Sequence, residues 1–311
     1  MRSHPLFGLL LALFGALVLT PDTLFMRLSG MSGFQMVGWR GLLMGSIMLF
    51  VWVVSSRNRR GDIGAVISGA GLIVIACQFT NSTLFNLAIA TAPVTIVLFA
   101  VATSPIFAAI FARIVFNEPT RRATWITIVA VLTGIGIAMF GKETGGIGID
   151  LNSALGAMAG LCVAAALAFY FVMLRHHPQL PLLLVMGVGV SLAGVTGLVI
   201  TGPGAMTNGT VWPIIVTGAV ILPLSFGALS LASRHTQASN VSLLILLETV
   251  FGPLWVWWGV DEAPTPAMLL GGAIVIGSIA IYLWASGRSR PRIRTLRPMG
   301  GTEQPAPHDA F

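Results

Sequence analysis

Residues 237–259, QASNVSLLILLETVFGPLWVWWG, form an apolar run with a single carboxylate, Glu248, near its middle. A helix needs about 20 predominantly apolar residues to cross the hydrocarbon core of a bilayer, and this run is long enough. An ionisable side chain at that depth is costly to bury and usually faces a partner group or a watery cavity. The run therefore predicts a membrane-spanning helix in which Glu248 has a functional position.

The composition predicts that membrane-spanning helices make up nearly the whole chain. Of the 311 residues, 56% are hydrophobic and only 9% are charged, and the mean hydropathy is +0.91. Soluble domains carry about 25% charged residues. The net charge of +7 does not indicate nucleic-acid binding, because the basic residues lie mainly in short loops and in the C-terminal tail, where they set membrane topology.

Ten apolar spans are predicted, and basic residues follow the even-numbered ones. Arg57–Arg60 follow the second span, Arg121–Arg122 the fourth and Arg175–His177 the sixth. Because cytoplasmic loops are enriched in Lys and Arg, both termini are predicted to lie in the cytoplasm. The predicted spans are residues 5–28, 34–55, 64–89, 92–115, 121–140, 154–174, 181–201, 211–233, 238–259 and 265–285.

The spans divide into two halves of five, residues 1–141 and 150–285, followed by a basic tail, 286–311, which is predicted to be disordered and cytoplasmic. Five is odd, so the second half enters the membrane from the opposite side. The predicted fold class is all-α integral membrane, with ten transmembrane helices as two inverted five-helix repeats. An offset of 144 residues gives this duplication weak support: it aligns Ser104–Pro105 with Glu248–Thr249 and leaves Leu87/Leu231, Ala88/Ala232, Val97/Val241, Phe107/Phe251 and Glu118/Glu262 identical.

These positions carry a resemblance to a known family. The aligned pairs Ser104–Pro105 and Glu248–Thr249, with the helix exits Asn117–Pro119 and Asp261–Pro264, resemble EamA-type members of the drug/metabolite transporter superfamily. Residues 233–248, SRHTQASNVSLLILLE, resemble the second-half signature of that family especially well.

The resemblance covers residues 5–285 and implies a permease of the bacterial plasma membrane, often an exporter of metabolites or amino acids. One departure from the family pattern is Thr249, where a proline commonly follows the glutamate. The resemblance therefore does not imply a kink directly after Glu248, and Pro253, one turn further on, is available to kink the helix instead.

Three side chains of the ninth span share one face of an uninterrupted helix: Asn240, Glu248 and Trp255. They offer an amide, a carboxylate and an indole N–H, so we predict that they bind substrate. Glu248 would contact a substrate amine or act as a protonation site. The alternatives are a structural glutamate hydrogen-bonded inside the bundle and, for Trp255, a place in the interfacial aromatic belt.

Asp22 and Arg40 are predicted to lie at similar depth. Asp22 precedes the outer end of the first span and Arg40 follows the start of the second, so antiparallel neighbours bring them together. Intramembrane charges usually pair, and a structural ion pair is the favoured interpretation. A pair switched by a proton or by the substrate is the functional alternative.

The third span carries a polar stripe, Gln78, Asn81, Ser82, Phe85 and Asn86, at positions i, i+3, i+4, i+7 and i+8 of one helix face. Lipid cannot satisfy amide groups, so this face must point into the bundle or onto water. Gln78 and Asn81 are predicted to bind substrate. Hydrogen bonding between helices is the alternative.

The function predicted from these features is secondary transport of small metabolites (amino acids or related compounds, or drugs), with export by alternating access. A passive channel or lipid scramblase is the alternative. No nucleotide-binding loop is apparent, so an ion gradient or the substrate's own gradient would drive transport. An intramembrane enzyme is disfavoured and no metal site or cofactor is predicted, because the histidines lie at termini or loop edges: His4, His176, His177, His235 and His308.

The predicted partners are the lipid bilayer and a small-molecule substrate. Small residues in the seventh span predict a helix face that packs closely against another helix. That helix belongs either to the same chain or to a second copy in a homodimer. These residues are Gly187, Gly189, Ser191, Gly194 and Gly197.

Overall fold

The computed structural model describes residues 6–92, 94–118, 122–140, 151–260 and 266–288, and these residues form helices and connecting loops without a β-strand. The α-helices of this part of the chain are α1 (Phe7–Leu19), α2 (Asp22–Ser29), α3 (Gly33–Ser55), α4 (Arg59–Ile67), α5 (Gly69–Thr91), α6 (Val94–Val101), α7 (Ser104–Phe116), α8 (Arg122–Phe140), α9 (Leu151–His176), α10 (Leu182–Thr201), α11 (Val211–Val216), α12 (Leu222–Ser233), α13 (Ala238–Ile245), α14 (Leu247–Val260) and α15 (Pro266–Arg288). A π-helical segment, Thr217–Ile221, joins α11 to α12.

Seven helical passages in the described residues are long and apolar enough to cross a membrane. They are Phe7–Ser29, Gly33–Ser55, Gly69–Thr91, Ala154–His176, Leu182–Thr201, Val211–Ser233 and Ala238–Gly259. Shorter apolar helices are Ser104–Phe116, Arg122–Gly134 and Leu269–Tyr282. The chain is therefore an all-helical, multi-pass membrane protein.

Several predicted spans are interrupted near their middles. The breaks fall between α1 and α2, between α6 and α7, and between α13 and α14. Pro21 and Pro105 stand at the start of α2 and α7, where the missing N–H of proline costs no helical hydrogen bond. A threonine hydroxyl at each break donates to the carbonyl three residues earlier: Thr20 to Leu17 at 2.8 Å, Thr103 to Ala100 at 2.6 Å and Thr249 to Leu246 at 2.7 Å.

The break in the ninth span lies at Leu246, between α13 and α14. Pro253 lies inside α14. The break places Glu248 in the first turn of α14, one turn earlier in the chain than the proline.

Two predicted boundaries also differ from the structure. The span predicted at 64–89 belongs to two helices, because the Ser68 hydroxyl accepts a hydrogen bond from the Gly71 N–H at 3.2 Å and caps a new helix, α5. Helix α15 continues to Arg288, into the segment predicted to be a disordered tail. Residues 289–311 and Glu262 lie outside the described residues.

Helices α3 and α10 pack against each other backbone to backbone. A Cβ atom placed on Gly41 would lie 2.6 Å from both the nitrogen and the Cα of Gly194. A Cβ atom on Gly194 would lie 2.5 Å from the nitrogen of Leu42. Contacts this short leave room only for hydrogen, so glycine is required on both sides of the interface.

The small residues of α10 therefore serve packing within the chain. Gly187 lies against Leu49 of α3, and Gly189 lies against Gln78 of α5. Because α3 and α5 cover this face, it is not available to a second copy of the protein.

We expect Gly41→Ala to destabilise the protein by about 1–3 kcal/mol, because the added methyl group overpacks the contact between α3 and α10. The measurement is thermal unfolding of the purified protein in detergent. Gly277→Ala in α15 is the matched control, since no atom lies within 4 Å of a Cβ placed there. Alanine is the better helix former by about 1 kcal/mol, so the control variant should be as stable as wild type or slightly more so. Equal stability of the two variants would contradict the close packing.

Candidate functional site

A cavity lies between helices from both halves of the chain. Its wall combines apolar side chains with charged and amide groups, all of them on helices that are otherwise strongly apolar. The lining residues are Leu19, Asp22, Arg40, Met44, Gln78, Asn81, Ser82, Phe85, Asn86, Val101, Val163, Leu167, Val190, Leu222, Phe226, Ile245 and Glu248.

Asp22 and Arg40 form a buried ion pair in the cavity wall. Arg40 Nη2 lies 2.5 Å from Asp22 Oδ2, and the two side chains are 4% and 1% exposed. Arg40 Nη1 donates to Asn86 Oδ1 at 3.0 Å and also contacts the sulfur of Met26. Asn86 is fixed in turn, because its Nδ2 donates to the Ser82 carbonyl at 2.6 Å. The guanidinium is thus held by a carboxylate on one side and an amide on the other.

Glu248 is the second carboxyl group of the cavity and is only 7% exposed. The Thr23 hydroxyl donates to Glu248 Oε1 at 3.2 Å. The N-terminal end of a helix carries partial positive charge, and the break at Leu246 places Glu248 at that end of α14. Among the described residues, no lysine, arginine or histidine forms a salt bridge with Glu248. Two carboxyl groups therefore share the cavity with one guanidinium, and that guanidinium is already paired.

The polar stripe of α5 faces the same space. All of its members line the cavity, and Gln78 and Asn81 are 1% and 8% exposed. The backbone of Gly189 approaches the Gln78 side chain closely, since a Cβ there would lie 2.9 Å from Gln78 Cβ. This contact with α10 holds the Gln78 side chain against the cavity.

Some buried polar atoms of the cavity lack a hydrogen-bond partner within the described part of the chain. They are Asp22 Oδ1, Gln78 Oε1 and Arg40 Nε. An unsatisfied buried polar atom costs about 1–3 kcal/mol, so such atoms are rare without a ligand or water to complete them. Two acceptors and one donor on residues of the cavity wall are therefore left without a hydrogen-bond partner in the described part of the chain.

The comparison with protein families identifies the first half of the chain. Residues 6–140, which carry Asp22, Arg40 and the whole polar stripe, match the model of the EamA-like transporter family. In this region the chain is similar to the EamA-like transporter family. This family belongs to the drug/metabolite transporter superfamily, and its members are membrane transporters.

The overall fold of the chain is also found in a solved structure. A crystal structure of another protein matches it with a TM-score of 0.72 and 16% sequence identity, and the match covers 94% of this chain and 99% of that chain. At this identity the likeness shows the fold alone. No curated protein matches the sequence.

Two residues predicted to bind substrate lie outside the cavity wall. Asn240 accepts a hydrogen bond from the Tyr282 hydroxyl at 2.6 Å and donates to the Thr236 hydroxyl at 2.9 Å. The Tyr282 hydroxyl also lies 3.2 Å from the Thr124 hydroxyl of α8. Asn240 thus joins α13 to α15 and α8 and does not contribute to the cavity wall described above.

Trp255 is the other such residue. Its indole nitrogen donates to the Thr20 hydroxyl at 2.9 Å, at the break between α1 and α2, and its ring lies 5.9 Å from that of Trp258. Trp255 does not belong to the described cavity wall. This hydrogen bond connects α14 to the break between α1 and α2.

Two residues of the site were not selected from the sequence. Asn86 binds the guanidinium of Arg40, and Thr23 binds Glu248. The helical spacing of the polar stripe already contained the signal for Asn86. Thr23 gave no signal, because a threonine next to an aspartate in an apolar helix is unremarkable by itself.

The described residues contain no group of three or more His, Cys, Asp or Glu that could hold a metal ion. The chemistry that the cavity can perform is binding: hydrogen bonds from amides, attraction by carboxylates, and contact with apolar walls.

Proposed function

We propose that the protein is a secondary transporter of small, amine-bearing metabolites, such as amino acids or related compounds, and that it exports them by alternating access. The observation that carries this proposal is the polar cavity, with two carboxyl groups, one arginine and three amides, inside helices that are otherwise apolar. Ionisable groups at such positions in membrane proteins mark substrate or ion pathways.

The chain is proposed to cross the membrane ten times, as two inverted five-helix repeats. Seven long passages and three shorter apolar helices support this number. In such an arrangement, the second and seventh spans are equivalent, as are the fifth and tenth. The contacts support the symmetry: α3 packs on α10 and α8 packs on α15, so equivalent elements meet on the symmetry axis. Contacts between non-equivalent spans also come in symmetric pairs. The third span packs on the sixth (α5 on α9), and the equivalent eighth span packs on the first (α12 on α1).

The helix breaks support the same repeat. The fourth span breaks after Val101 and the ninth breaks at Leu246, and the offset of 144 residues relates residue 102 to Leu246. Ser104 and Glu248 then occupy equivalent positions near the start of α7 and α14. In transporters built from inverted repeats, substrates bind beside such discontinuous helices near the midplane.

The orientation is proposed from the basic residues. Arg57–Arg60 and Arg175–His177 lie at the same end of the bundle as the C-termini of α3, α7 and α9. This end would face the cytoplasm, together with both termini, in a bacterial plasma membrane.

The chemistry of the cavity favours a substrate with an ammonium group. Glu248 has no cationic partner among the described residues, and Asp22 Oδ1 and Gln78 Oε1 are acceptors without donors. An ammonium group supplies one positive charge, which would pair with Glu248, and three N–H donors, which would satisfy the acceptors. The free Nε of Arg40 offers one donor for a carboxylate or carbonyl on the same substrate.

Three probes that share one carbon skeleton test this proposal: phenylethylamine, phenylalanine and phenylacetate. The first has only the amine, the second has both charged groups and the third has only the carboxylate. We expect thermal stabilisation of the purified protein by the two amines and none by phenylacetate, because a ligand that binds only the folded state raises its stability by mass action. Stabilisation by phenylacetate alone would contradict an amine site.

Transport is tested in liposomes by exchange. A carrier accelerates uptake of labelled probe when unlabelled probe is loaded inside, and its rate saturates with concentration. Flux without saturation or exchange would favour the passive channel or scramblase and would overturn the transporter proposal.

A further inference from the structure

At one end of the bundle, a three-part contact joins the two halves of the chain. Glu118 follows α7, Arg175 lies in the last turn of α9, and Thr236 lies in the link between α12 and α13. Arg175 Nη2 and Nε donate to Glu118 Oε1 at 2.8 Å and 3.1 Å, and Nε also lies 3.1 Å from Oε2. Arg175 Nη1 donates to the Thr236 carbonyl at 2.6 Å. We call Glu118, Arg175 and Thr236 the clasp.

His176 and Phe116 hold Glu118 in place. The ring of His176 stacks on that of Phe116 with centroids 3.7 Å apart and an angle of 7° between the planes. His176 Nε2 lies 3.6 Å from Glu118 Oε2. Glu118, at the end of the first half, thus has its partners on a helix of the second half.

Tightly packed side chains fill the space between the clasp and the cavity. Leu167 of α9 lines the cavity, and Arg175 lies eight residues further along the same helix, which corresponds to about 12 Å. Within this interval Tyr170 is fully buried, and its hydroxyl lies 2.8 Å from that of Ser230, which is equally buried. Phe171 is also fully buried. The bundle is therefore closed between the cavity and the clasp.

The lining of the cavity continues toward the other end. On α5 it runs from Gln78 to Asn86, in the C-terminal half of that helix, and on α3 it includes Arg40, in the N-terminal half. The C-terminal half of α5 and the N-terminal half of α3 both lie away from the C-terminal ends of α7 and α9, where the clasp lies. Substrate would thus have access from the end opposite the clasp.

We propose that the clasp is a gate that keeps one end of the transport pathway closed, and that Arg175 is its positioning residue. This proposal rests on the proposed function, because alternating access requires one half of the chain to separate from the other at this end. The two side chains of the ion pair are 26% and 18% exposed, so water can replace their contact when the halves separate. A fully buried pair could not open in this way without a large desolvation cost.

The chain offers a matched control for Arg175. Arg234 lies at the same end and also donates to a main-chain carbonyl at 2.6 Å, that of Leu180. However, Leu180 and Arg234 both belong to the second half, so this bond need not break when the halves separate. The proposal therefore assigns gating to Arg175 and not to Arg234.

The test measures from which side of the membrane the cavity can be reached. Ser82→Cys introduces a thiol into the cavity wall, in a background where Cys77 and Cys162 are replaced by alanine. A membrane-impermeant maleimide is applied to intact cells and to inside-out vesicles, and the ratio of the two labelling rates is compared among variants. The variants are Arg175→Gln, Arg234→Gln and the exchange Glu118→Arg with Arg175→Glu.

We expect Arg175→Gln to shift the ratio about tenfold toward the clasp side, which corresponds to ~1.4 kcal/mol in the equilibrium between the two states. Arg234→Gln should leave the ratio unchanged, and the charge exchange should restore it. An unchanged ratio in Arg175→Gln, or an equal shift in Arg234→Gln, would overturn the gate.

A second cysteine separates gating from general loosening. Val37→Cys lies in the fully buried interface of α3 and should stay unlabelled in every variant. Labelling of Val37→Cys in Arg175→Gln would assign Arg175 a purely structural role and would also overturn the proposal. Because labelling needs no substrate, the gate can stand even if none of the three probes is exchanged, and in that case only the substrate proposal fails.

Discussion

Glu248→Gln is expected to lower the affinity for phenylethylamine by about 10- to 100-fold, which corresponds to the ~1.5–3 kcal/mol of a hydrogen bond to a charged group. The variant keeps the shape of the side chain and the oxygen that accepts from Thr23. It removes the carboxylate that has no cationic partner among the described residues. The stability of the ligand-free protein should therefore change little. The measurement is the dissociation constant from ligand-dependent thermal shift.

Asp62→Asn is the matched control for Glu248→Gln. Asp62 accepts hydrogen bonds from Trp52 at 2.8 Å and from Ser56 at 2.6 Å, near the start of α4 and outside the cavity wall. Its replacement removes one carboxylate without touching the proposed site, so the affinity should stay that of wild type. Unchanged affinity in Glu248→Gln would remove Glu248 from recognition and leave Asp22 and Gln78 as the acceptors to examine.

Arg40→Met is expected to destabilise the protein by about 3–5 kcal/mol, because it leaves Asp22 as a buried carboxylate without a partner. Asp22→Asn in the same chain should recover much of this loss, since an amide costs far less to bury than a charge. The measurement is thermal unfolding of the two single variants and the double variant, which together form a double-mutant cycle.

Arg59→Met is the control for Arg40→Met. Arg59 is exposed and donates only to the Val53 carbonyl among the bonds described, at 2.7 Å. Its replacement should change the stability by no more than about 0.5 kcal/mol. If Arg40→Met were as mild as this control, the guanidinium would not be needed to compensate Asp22, and the pair would have no structural role.

The family, the membrane class and the polar face of α5 could be predicted because each follows from local regularities. Apolar runs of bilayer length predict helices, and the spacing of Gln78, Asn81 and Asn86 fixes their common face whatever the helix packs against. The depths of Asp22 and Arg40 were also enough to predict that they lie near each other. In the structure, all five of these residues line one cavity.

The partners of Asn240 and Trp255 could not be predicted in the same way. Their common face with Glu248 was calculated for a continuous helix, and the break at Leu246 divides that helix into α13 and α14. Asn240 lies on α13 and turns toward Tyr282, whereas Glu248 lies on α14 and faces the cavity. No proline marks this break, so it could not be predicted from the sequence. The clasp could not be predicted from the sequence either, since Glu118 and Arg175 are 57 residues apart.

The contact between Gly41 and Gly194 has a consequence for the speed of the proposed transport cycle. An interface made of main chain carries few rotatable bonds, so the two halves can turn against each other there without ordering or releasing flexible side chains. The activation entropy of the conformational change should therefore be small at this interface. Bulkier residues there are expected to slow turnover more than they weaken substrate binding.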